Sequence, residues 1–334
     1  MLRAISQLII VTLATVLFES GMAQSMEKEA FKRPLKVSFP EDAPYSPLRA
    51  TLGKMLFFDP RLSGAQNISC ATCHNPSFGW EVPTPGPVGA TNVMLARQAP
   101  TILNAAWTTH LFWDGRADSL EEQAIGPISA DVEMAGDLEE IAAHLGEIAT
   151  YANAFERAYP GVGMTPNTIL NAIATFERTI VSGWSPFDRW VEGDATAISE
   201  AARRGFDVFV GDGRCADCHS GWNFTDNAFH DIGLATDDAG RIAVTQGPEK
   251  DRHAFKTPGL RNILYRAPYM HNGSLPTISS VIDHYVSGGI ERASRSEQMH
   301  ELHLSEDQIS DLIAFLGSLT AEEDAISNPI LPAE

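Results

Sequence analysis

The 334-residue sequence has no cysteine to spare for a structural disulfide, because its four cysteines all belong to two CxxCH segments. A disulfide-stapled scaffold is therefore excluded. Positive charge is also scarce: 24 Lys and Arg residues stand against 43 Asp and Glu, which gives a formal net charge of −19. Nucleic acids and anionic membranes would repel such a chain, so we expect neither as a partner.

Long apolar runs are absent after the N terminus. The first residues contain Arg3, an uncharged run at 8–18 and then Gly21-Met22-Ala23, a pattern typical of a signal peptide cleaved near Ala23. The run is short for a membrane span, although an uncleaved anchor remains the alternative. We therefore expect residues 1–23 to be removed and the mature protein to be soluble in the periplasm.

The two cysteine segments read Cys70-Ala71-Thr72-Cys73-His74 and Cys215-Ala216-Asp217-Cys218-His219. In such a segment, two thiols can form thioethers with the vinyl groups of one haem while the histidine binds its iron. A thioredoxin-like CxxC or half of a zinc site has the same cysteine spacing. Two complete segments with an export signal favour two haem c groups, with His74 and His219 as the proximal iron ligands.

Helix signals dominate the chain, and strands are hard to find. Ser46-Pro47, Thr165-Pro166 and Ser305 each predict a helix start, and Gln308 completes a capping box with Ser305. Apolar residues follow at helical spacing. They are Leu48, Leu52, Met55 and Leu56 in the first helix, Ile169, Leu170, Ile173, Phe176 and Ile180 in the second, and Ile309, Leu312, Ile313 and Leu316 in the third.

One CxxCH segment in each half predicts two tandem cytochrome c-like domains, both all-α. The helical pattern breaks at Ser185-Pro186 and Gly193-Asp194, so we predict an N-terminal domain at 24–195 and a C-terminal domain at 196–334. Two irregular stretches rich in Gly, Pro and Asn, at 75–104 and 231–273, are typical of loops that wrap a ligand.

Four further strings make the sequence resemble the bacterial di-haem cytochrome c peroxidases and their relative MauG. They are residues 52–63 (LGKMLFFDPRLS), 112–116 (FWDGR), 185–189 (SPFDR) and 255–262 (FKTPGLRN). The resemblance covers most of the mature chain. It implies two cytochrome c domains whose haems communicate across an interface, with peroxide reacting at the first haem and electrons arriving through the second.

The resemblance also implies roles for three residues. Glu133 resembles the acid and base that moves the peroxide proton, and Gln123 resembles the neighbouring amide that orients peroxide. Heterolysis requires such a proton carrier, and an apolar pocket would raise the pKa of a carboxyl group. Trp113 resembles an electron relay between the haems. The alternatives are helix-surface residues for Glu133 and Gln123, and an ordinary core aromatic for Trp113.

The family holds a calcium ion between its haems, and the matching positions are Gln98, Arg266 and Pro268. Carbonyl oxygens are suitable ligands for calcium. Gln98 departs from the asparagine usual in the family, so its longer side chain puts this site in question.

The loop after the first CxxCH segment departs from the family pattern at Ala90. Many of these peroxidases have a histidine in this loop that blocks the first iron until the second haem is reduced. Alanine has no ligand atom, so we expect the first haem to be five-coordinate and open to peroxide at rest.

The second departure is Tyr285, at the position where typical peroxidases have a methionine ligand and MauG has a tyrosine. A phenolate stabilises ferric iron, so it should lower the potential of the second haem relative to a thioether. Met270 and the adjacent His284 are the rival ligands.

Three functions follow from these features. Reduction of hydrogen peroxide with electrons from a small periplasmic donor, such as a cytochrome c or a cupredoxin, is the first. The second is MauG-like chemistry, in which peroxide-derived high-valent haems oxidise residues of a partner protein. The third is a non-catalytic di-haem electron carrier. A homodimer also stays open.

Overall fold

The computed structural model describes residues 28–322 and 326–333, so the predicted signal peptide lies outside the described residues. Within the described ranges, strands are limited to β1 (Phe229–His230) and β2 (Phe255–Lys256). They pair antiparallel, with Phe229 opposite Lys256. The remaining regular structure is helical, which confirms the predicted all-α class.

The helices divide between the two halves of the chain. In the first half they are α1 (Pro47–Phe57), α2 (Cys70–Cys73), α3 (Leu120–Ser129), α4 (Leu138–Gly146), α5 (Ala149–Ala158) and α6 (Pro166–Glu177). In the second half they are α7 (Pro186–Val191), α8 (Glu200–Val210), α9 (Ile242–Thr245), α10 (Ile278–Val286) and α11 (Glu306–Ser318). Short 3-10 turns occur at Pro60–Leu62, Pro76–Phe78, Ala105–Trp107, Cys215–Asp217, Glu249–Asp251 and Ile263–Tyr265.

The predicted helix starts are confirmed by their caps. The side chain of Ser46 accepts a hydrogen bond from the backbone N–H of Arg49 at the start of α1. Thr165 caps α6, and Ser305 forms a capping box with Gln308 at the start of α11. These side chains satisfy backbone donors that a helix leaves free in its first turn.

The two halves are each built around one close helix crossing. In the first half, a Cβ atom on Gly53 of α1 would lie 1.8 Å from the carbonyl oxygen of Ala172 in α6. In the second half, a Cβ atom on Gly205 of α8 would lie 1.9 Å from the carbonyl oxygen of Asp311 in α11. Both crossings therefore require glycine, and this shared geometry fits a tandem of related domains.

The apolar face of α1 is shorter than predicted. Leu52 and Leu56 are buried in the first core, as expected, but Leu48 is 44% exposed. The prediction for Leu48 is wrong because this residue lies in the first turn of the helix, so the buried face begins only at Leu52.

An aromatic cluster fills the second core. Phe187, Phe206, Phe224 and Phe315 have ring centroids 5.5–6.1 Å apart, and Phe31 from the N-terminal segment packs on Phe224 at 5.1 Å. Helix α7 also packs in this core, although it precedes the domain boundary predicted after residue 195. That boundary stays a prediction.

Buried and half-buried ion pairs join the two halves. Arg266 binds Glu81 with 2.8 Å between Nη2 and Oε1, and both side chains are buried. Arg97 binds Asp238 across the same interface at 2.7 Å and Asp114 within its own half at 2.6 Å. Among the residues the structure describes, no helix has both the length and the apolar character needed to cross a bilayer.

Candidate active site

The first CxxCH segment forms α2, and its histidine is oriented by a backbone carbonyl. The N–H of Ser69 donates to Thr72 Oγ1 at 3.0 Å, which fixes the start of the helix. His74 follows, with Nδ1 3.2 Å from the carbonyl oxygen of Trp80. Because a carbonyl only accepts, Nδ1 carries the proton and the lone pair of Nε2 is available to a metal.

The second CxxCH segment repeats this arrangement in the other half. Nδ1 of His219 lies 3.0 Å from the carbonyl oxygen of Phe224, so the proton again lies on Nδ1. Burial lowers the pKa of both histidines, which favours the neutral imidazole that binds metals. The two predicted iron ligands thus have the same tautomer, and each donates its Nδ1 proton to a backbone carbonyl.

Each CxxCH segment borders its own cavity. The first cavity, next to His74, has a volume of about 640 Å³, and the second, next to His219, has a volume of about 190 Å³. None of the four cysteines forms a disulfide. Paired cysteines, a correctly oriented imidazole and an adjacent cavity fit one covalently attached haem in each half, and the first cavity is the larger.

Glu133 and Gln123 lie on the wall of the first cavity together with His74. Gln123 is part of α3, and Glu133 belongs to the turn that follows this helix. Burial raises the pKa of Glu133, and the Arg116 guanidinium opposes the shift without cancelling it. A raised pKa makes a carboxylate a stronger base that holds the proton until it is donated, as a general base that later acts as a general acid requires.

The loop around Ala90 supports the turn that carries Glu133. The N–H of Ala90 donates to the carbonyl oxygen of Glu133 at 2.7 Å, and the amide of Asn67 donates to the carbonyl oxygen of Ala90 at 3.0 Å. Among the described residues that line the first cavity, His74 is the sole histidine. Met134 lines it as well and is the remaining soft donor.

Tyr285 and Met270 both lie on the wall of the second cavity with His219. Burial raises the pKa of Tyr285, and Cys218 adds to the shift, so the phenol lies close to the second CxxCH segment. His284 does not line this cavity; its Nε2 donates to the carbonyl oxygen of Ile232 at 3.0 Å. Of the three ligands considered from the sequence, Tyr285 and Met270 thus line the cavity and His284 does not, although Met299, His230 and His271 line it as well.

A small group of residues forms a wall shared by the two cavities. Trp113 and Lys256 belong to it, since both border the first and the second cavity. Nε1 of Trp113 donates to the carbonyl oxygen of Gln98 at 2.8 Å, and the carbonyl oxygen of Trp113 accepts from the N–H of Lys256 at 2.8 Å. Both the indole nitrogen and the backbone carbonyl of Trp113 are thus held by hydrogen bonds.

The three predicted calcium positions all line the second cavity, and Gln98 and Arg266 border the first cavity as well. Gln98 is buried, and its Nε2 donates to the carbonyl oxygens of Val82 and Pro268 at 3.0 and 3.4 Å. Its Oε1 has no hydrogen-bond partner. Rotation of this amide would bring Oε1 towards Pro268, because the two ends of an amide are assigned from their contacts. These oxygens fit a hard cation, and a calcium ion there stays a prediction.

Two ionisable residues of these cavities are not apparent as site residues from the sequence. Glu177, on α6, is buried and lines the first cavity; burial raises its pKa to about 8, and its Oε2 has no hydrogen-bond partner. The one sequence signal for Glu177 is its spacing of four residues from Ile173, which places its carboxyl group on the apolar face of the helix. Lys256 belongs to the FKTPGLRN string, and no local signal indicates that it lines both cavities.

Comparison with known proteins gives consistent matches over both halves. Residues 47–196 match a family model described as di-haem cytochrome c peroxidase, and residues 202–320 match one described as cytochrome c. The chain is 47% identical over 308 residues to methylamine utilization protein MauG of Methylorubrum extorquens, covering 91% of this chain and 87% of that protein.

Two further similarities are informative. The chain is 37% identical over 306 residues to cytochrome c551 peroxidase of Nitrosomonas europaea, covering 90% of this chain and 87% of that protein. Among solved structures, a MauG-like protein associated with microbial copper homeostasis superposes with a TM-score of 0.81 at 31% identity, covering 87% of this chain and 94% of that one.

Proposed function

Because this chain belongs to the di-haem cytochrome c peroxidase family, which includes the MauG proteins, we propose that it uses peroxide to oxidise side chains of a partner protein. It is an oxidoreductase with two haem c groups, so a plain electron carrier is no longer a candidate. The sequence alone favoured peroxide reduction with a small electron donor. The comparisons favour the MauG-like alternative, because the MauG relative is 47% identical and the peroxidase 37%.

The position of Tyr285 carries this proposal. The phenol lies on the wall of the second cavity. It stands at the sequence position where typical peroxidases have a methionine ligand. As an anionic ligand it would stabilise ferric iron and lower the potential of the second haem. Such a haem accepts electrons less readily from a carrier, so oxidising equivalents taken from peroxide would persist until a protein substrate supplies the electrons.

The residues of the first cavity would manage the peroxide proton. A haem iron with an open position supplies the site at which peroxide is cleaved. Glu133 would take a proton from one peroxide oxygen and deliver it to the other, which a raised pKa permits. Gln123, on the same wall, would orient peroxide through its amide. The two electrons consumed in the cleavage would come from side chains of the partner protein.

Trp113 would carry electrons between the halves. It borders both cavities, and hydrogen bonds fix its indole Nε1 and its backbone carbonyl. A rigid aromatic group between two redox centres shortens each electron-transfer step. This role would let both haems share the oxidising equivalents before the partner is oxidised.

Peroxide reduction with a small donor, such as a cytochrome c or a cupredoxin, is the second candidate. Met270 on the wall of the second cavity favours it, because a thioether would raise the potential of that haem. The 37% identity to a cytochrome c551 peroxidase also supports it. For either function we propose export to the periplasm, where the acidic surface would attract a partner with a basic patch.

The test compares the purified holoprotein with peroxide alone and with peroxide plus reduced cytochrome c. We expect slow turnover and a long-lived oxidised spectrum that decays when an oxidisable protein is added. Rapid, sustained oxidation of reduced cytochrome c, without a long-lived state, would instead establish the second candidate.

Two variants of the second cavity separate the rival ligands. Tyr285→Met should raise the potential of the second haem and speed oxidation of cytochrome c, whereas Met270→Leu should leave the low-spin spectrum of that haem unchanged. Tyr265→Met is the matched control, because Tyr265 is 52% exposed and borders neither cavity. A spectrum altered by Met270→Leu but not by Tyr285→Met would assign the ligand to Met270.

A further inference from the structure

Lys256 occupies an unusual position between the two cavities. It ends strand β2, and its N–H donates to the carbonyl oxygen of Trp113 at 2.8 Å. It also borders both the first and the second cavity. A cationic side chain therefore stands at the wall that both cofactor sites share, next to the predicted electron relay.

The ammonium group of Lys256 has no ion-pair partner in the part of the chain that the structure describes. Among the described residues, none forms a hydrogen bond or an ion pair with its Nζ. Burial, with the neighbouring charge of Arg266, lowers the pKa of Lys256 to about 8. Glu81, a buried carboxylate that also lines the second cavity, is already bound to Arg266 and to the N–H of Thr101.

Arg266 differs from Lys256 because its guanidinium is fully engaged. It binds Glu81 at 2.8 Å and donates to the carbonyl oxygens of Gly259 and Arg261 at 2.7 and 3.2 Å. Lys256 is half-buried and, unlike Arg266, has no such partner among the described residues. A charge partly removed from water is costly when it is unpaired, so an anion bound at this wall would stabilise it.

We propose that Lys256 Nζ binds a propionate carboxylate of a haem at the shared wall. A propionate is the anionic group that haem c carries, and Lys256 borders both haem cavities. A charge-assisted hydrogen bond between an ammonium and a carboxylate is among the stronger polar contacts in proteins. The inference rests on the two haem c groups and is independent of the choice between the proposed functions.

The ammonium group would set the potential of the haem that it contacts. A positive charge near the macrocycle favours the ferrous over the ferric state, and contacts around the haem are known determinants of its potential. Loss of the charge would also leave the propionate uncompensated. Both effects lower the reduction potential of the haem, so we expect removal of the cation to shift that potential downwards.

The experiment compares Lys256→Met with Lys256→Arg in the full-length holoprotein. Lys250→Met is the control, because Lys250 is exposed in a 3-10 turn of the same half. Haem content is measured first, to verify two haems per chain. Spectroelectrochemical titration then gives the potential of each haem, and resonance Raman spectroscopy reports the propionate bending modes. Lys256→Gln repeats the comparison in case methionine is not tolerated.

We expect Lys256→Met to reduce the equilibrium constant for reduction of at least one haem about tenfold, or ~59 mV for one electron. Its propionate bending mode should shift as well, while Lys256→Arg and Lys250→Met keep the wild-type values. The haem whose potential and mode change identifies which propionate is bound. Unchanged potentials and modes in both Lys256→Met and Lys256→Gln would overturn the proposal.

Discussion

The indole Nε1 of Trp113 donates to the backbone carbonyl of Gln98 at 2.8 Å. The acceptor is main chain, so the bond does not depend on which side chain residue 98 carries. The same glutamine also directs its amide towards Pro268 in the second half. One residue therefore connects the predicted electron relay to the predicted calcium position.

Trp113→Phe is expected to slow electron exchange between the haems. Phenylalanine is harder to oxidise and has no N–H, so it removes the relay and leaves the Gln98 carbonyl unpaired. We expect at least roughly a tenfold lower rate, equivalent to ~1.4 kcal/mol of barrier. Stopped-flow spectroscopy of the second haem after peroxide addition measures it. Trp184→Phe is the control, since Trp184 is 56% exposed and borders neither cavity.

Glu133→Gln is expected to slow the cleavage of peroxide by about 10²–10⁴-fold, the usual effect of losing a general acid and base. The amide is close in size but cannot accept and return a proton. The rate is measured in a single turnover with excess enzyme. Glu139→Gln, an exposed position on α4, should react at the wild-type rate. Normal cleavage in Glu133→Gln would disprove the role of Glu133.

The first haem is expected to be high-spin and five-coordinate at rest, because Ala90 offers no ligand atom. EPR spectroscopy of the ferric holoprotein should then show one high-spin and one low-spin signal, and cyanide should convert the high-spin signal. Two low-spin signals would contradict the prediction. In that event Met134→Leu would show whether the Met134 sulfur, on the wall of the first cavity, occupies the position.

Glu177 is expected to make stability fall as pH rises. Burial raises its pKa from 4.5 to about 8, so between these values the folded protein binds more protons than the unfolded chain. Stability from this group is fully present below pH 4.5 and is lost as pH rises through 8. Glu177→Gln should remove this loss, which is on the order of a few kcal/mol.

The measurement for Glu177 is the free energy of unfolding by denaturant at pH 5 and pH 8. The advantage of Glu177→Gln over the wild type should grow between the two pH values. Glu147→Gln, exposed just beyond α4, should show no such trend. An equal difference at both pH values would mean that Glu177 is not neutralised by its burial.

A local feature can be predicted from the sequence when all the groups that form it belong to one short segment. The CxxCH segments and the caps at Ser46 and Ser305 are of this kind, and the structure agrees with them. The predicted burial of Leu48 is wrong because helical spacing does not reveal where the neighbouring helix begins to cover α1. The buried face of a helix depends on its neighbour as well as on its own pattern.

Features that depend on distant segments were harder to predict. Tyr285 and His284 are adjacent, and their sequence context is the same, but only the tertiary fold directs one to the second cavity and the other to the Ile232 carbonyl. The position of Lys256 likewise depends on a backbone hydrogen bond to Trp113, far away in the chain. Trp113 could be identified as a relay by family resemblance, whereas Lys256 could be identified as an interface residue only from the folded structure.

The bond between the N–H of Lys256 and the carbonyl of Trp113 has a consequence for dissecting the molecule. Each partner comes from a different half, and so do the side chains that complete the partition between the cofactors. Neither half alone would contain the whole path for electrons between the two haem sites. Cooperation between the irons is thus a property of the intact polypeptide rather than of either fragment.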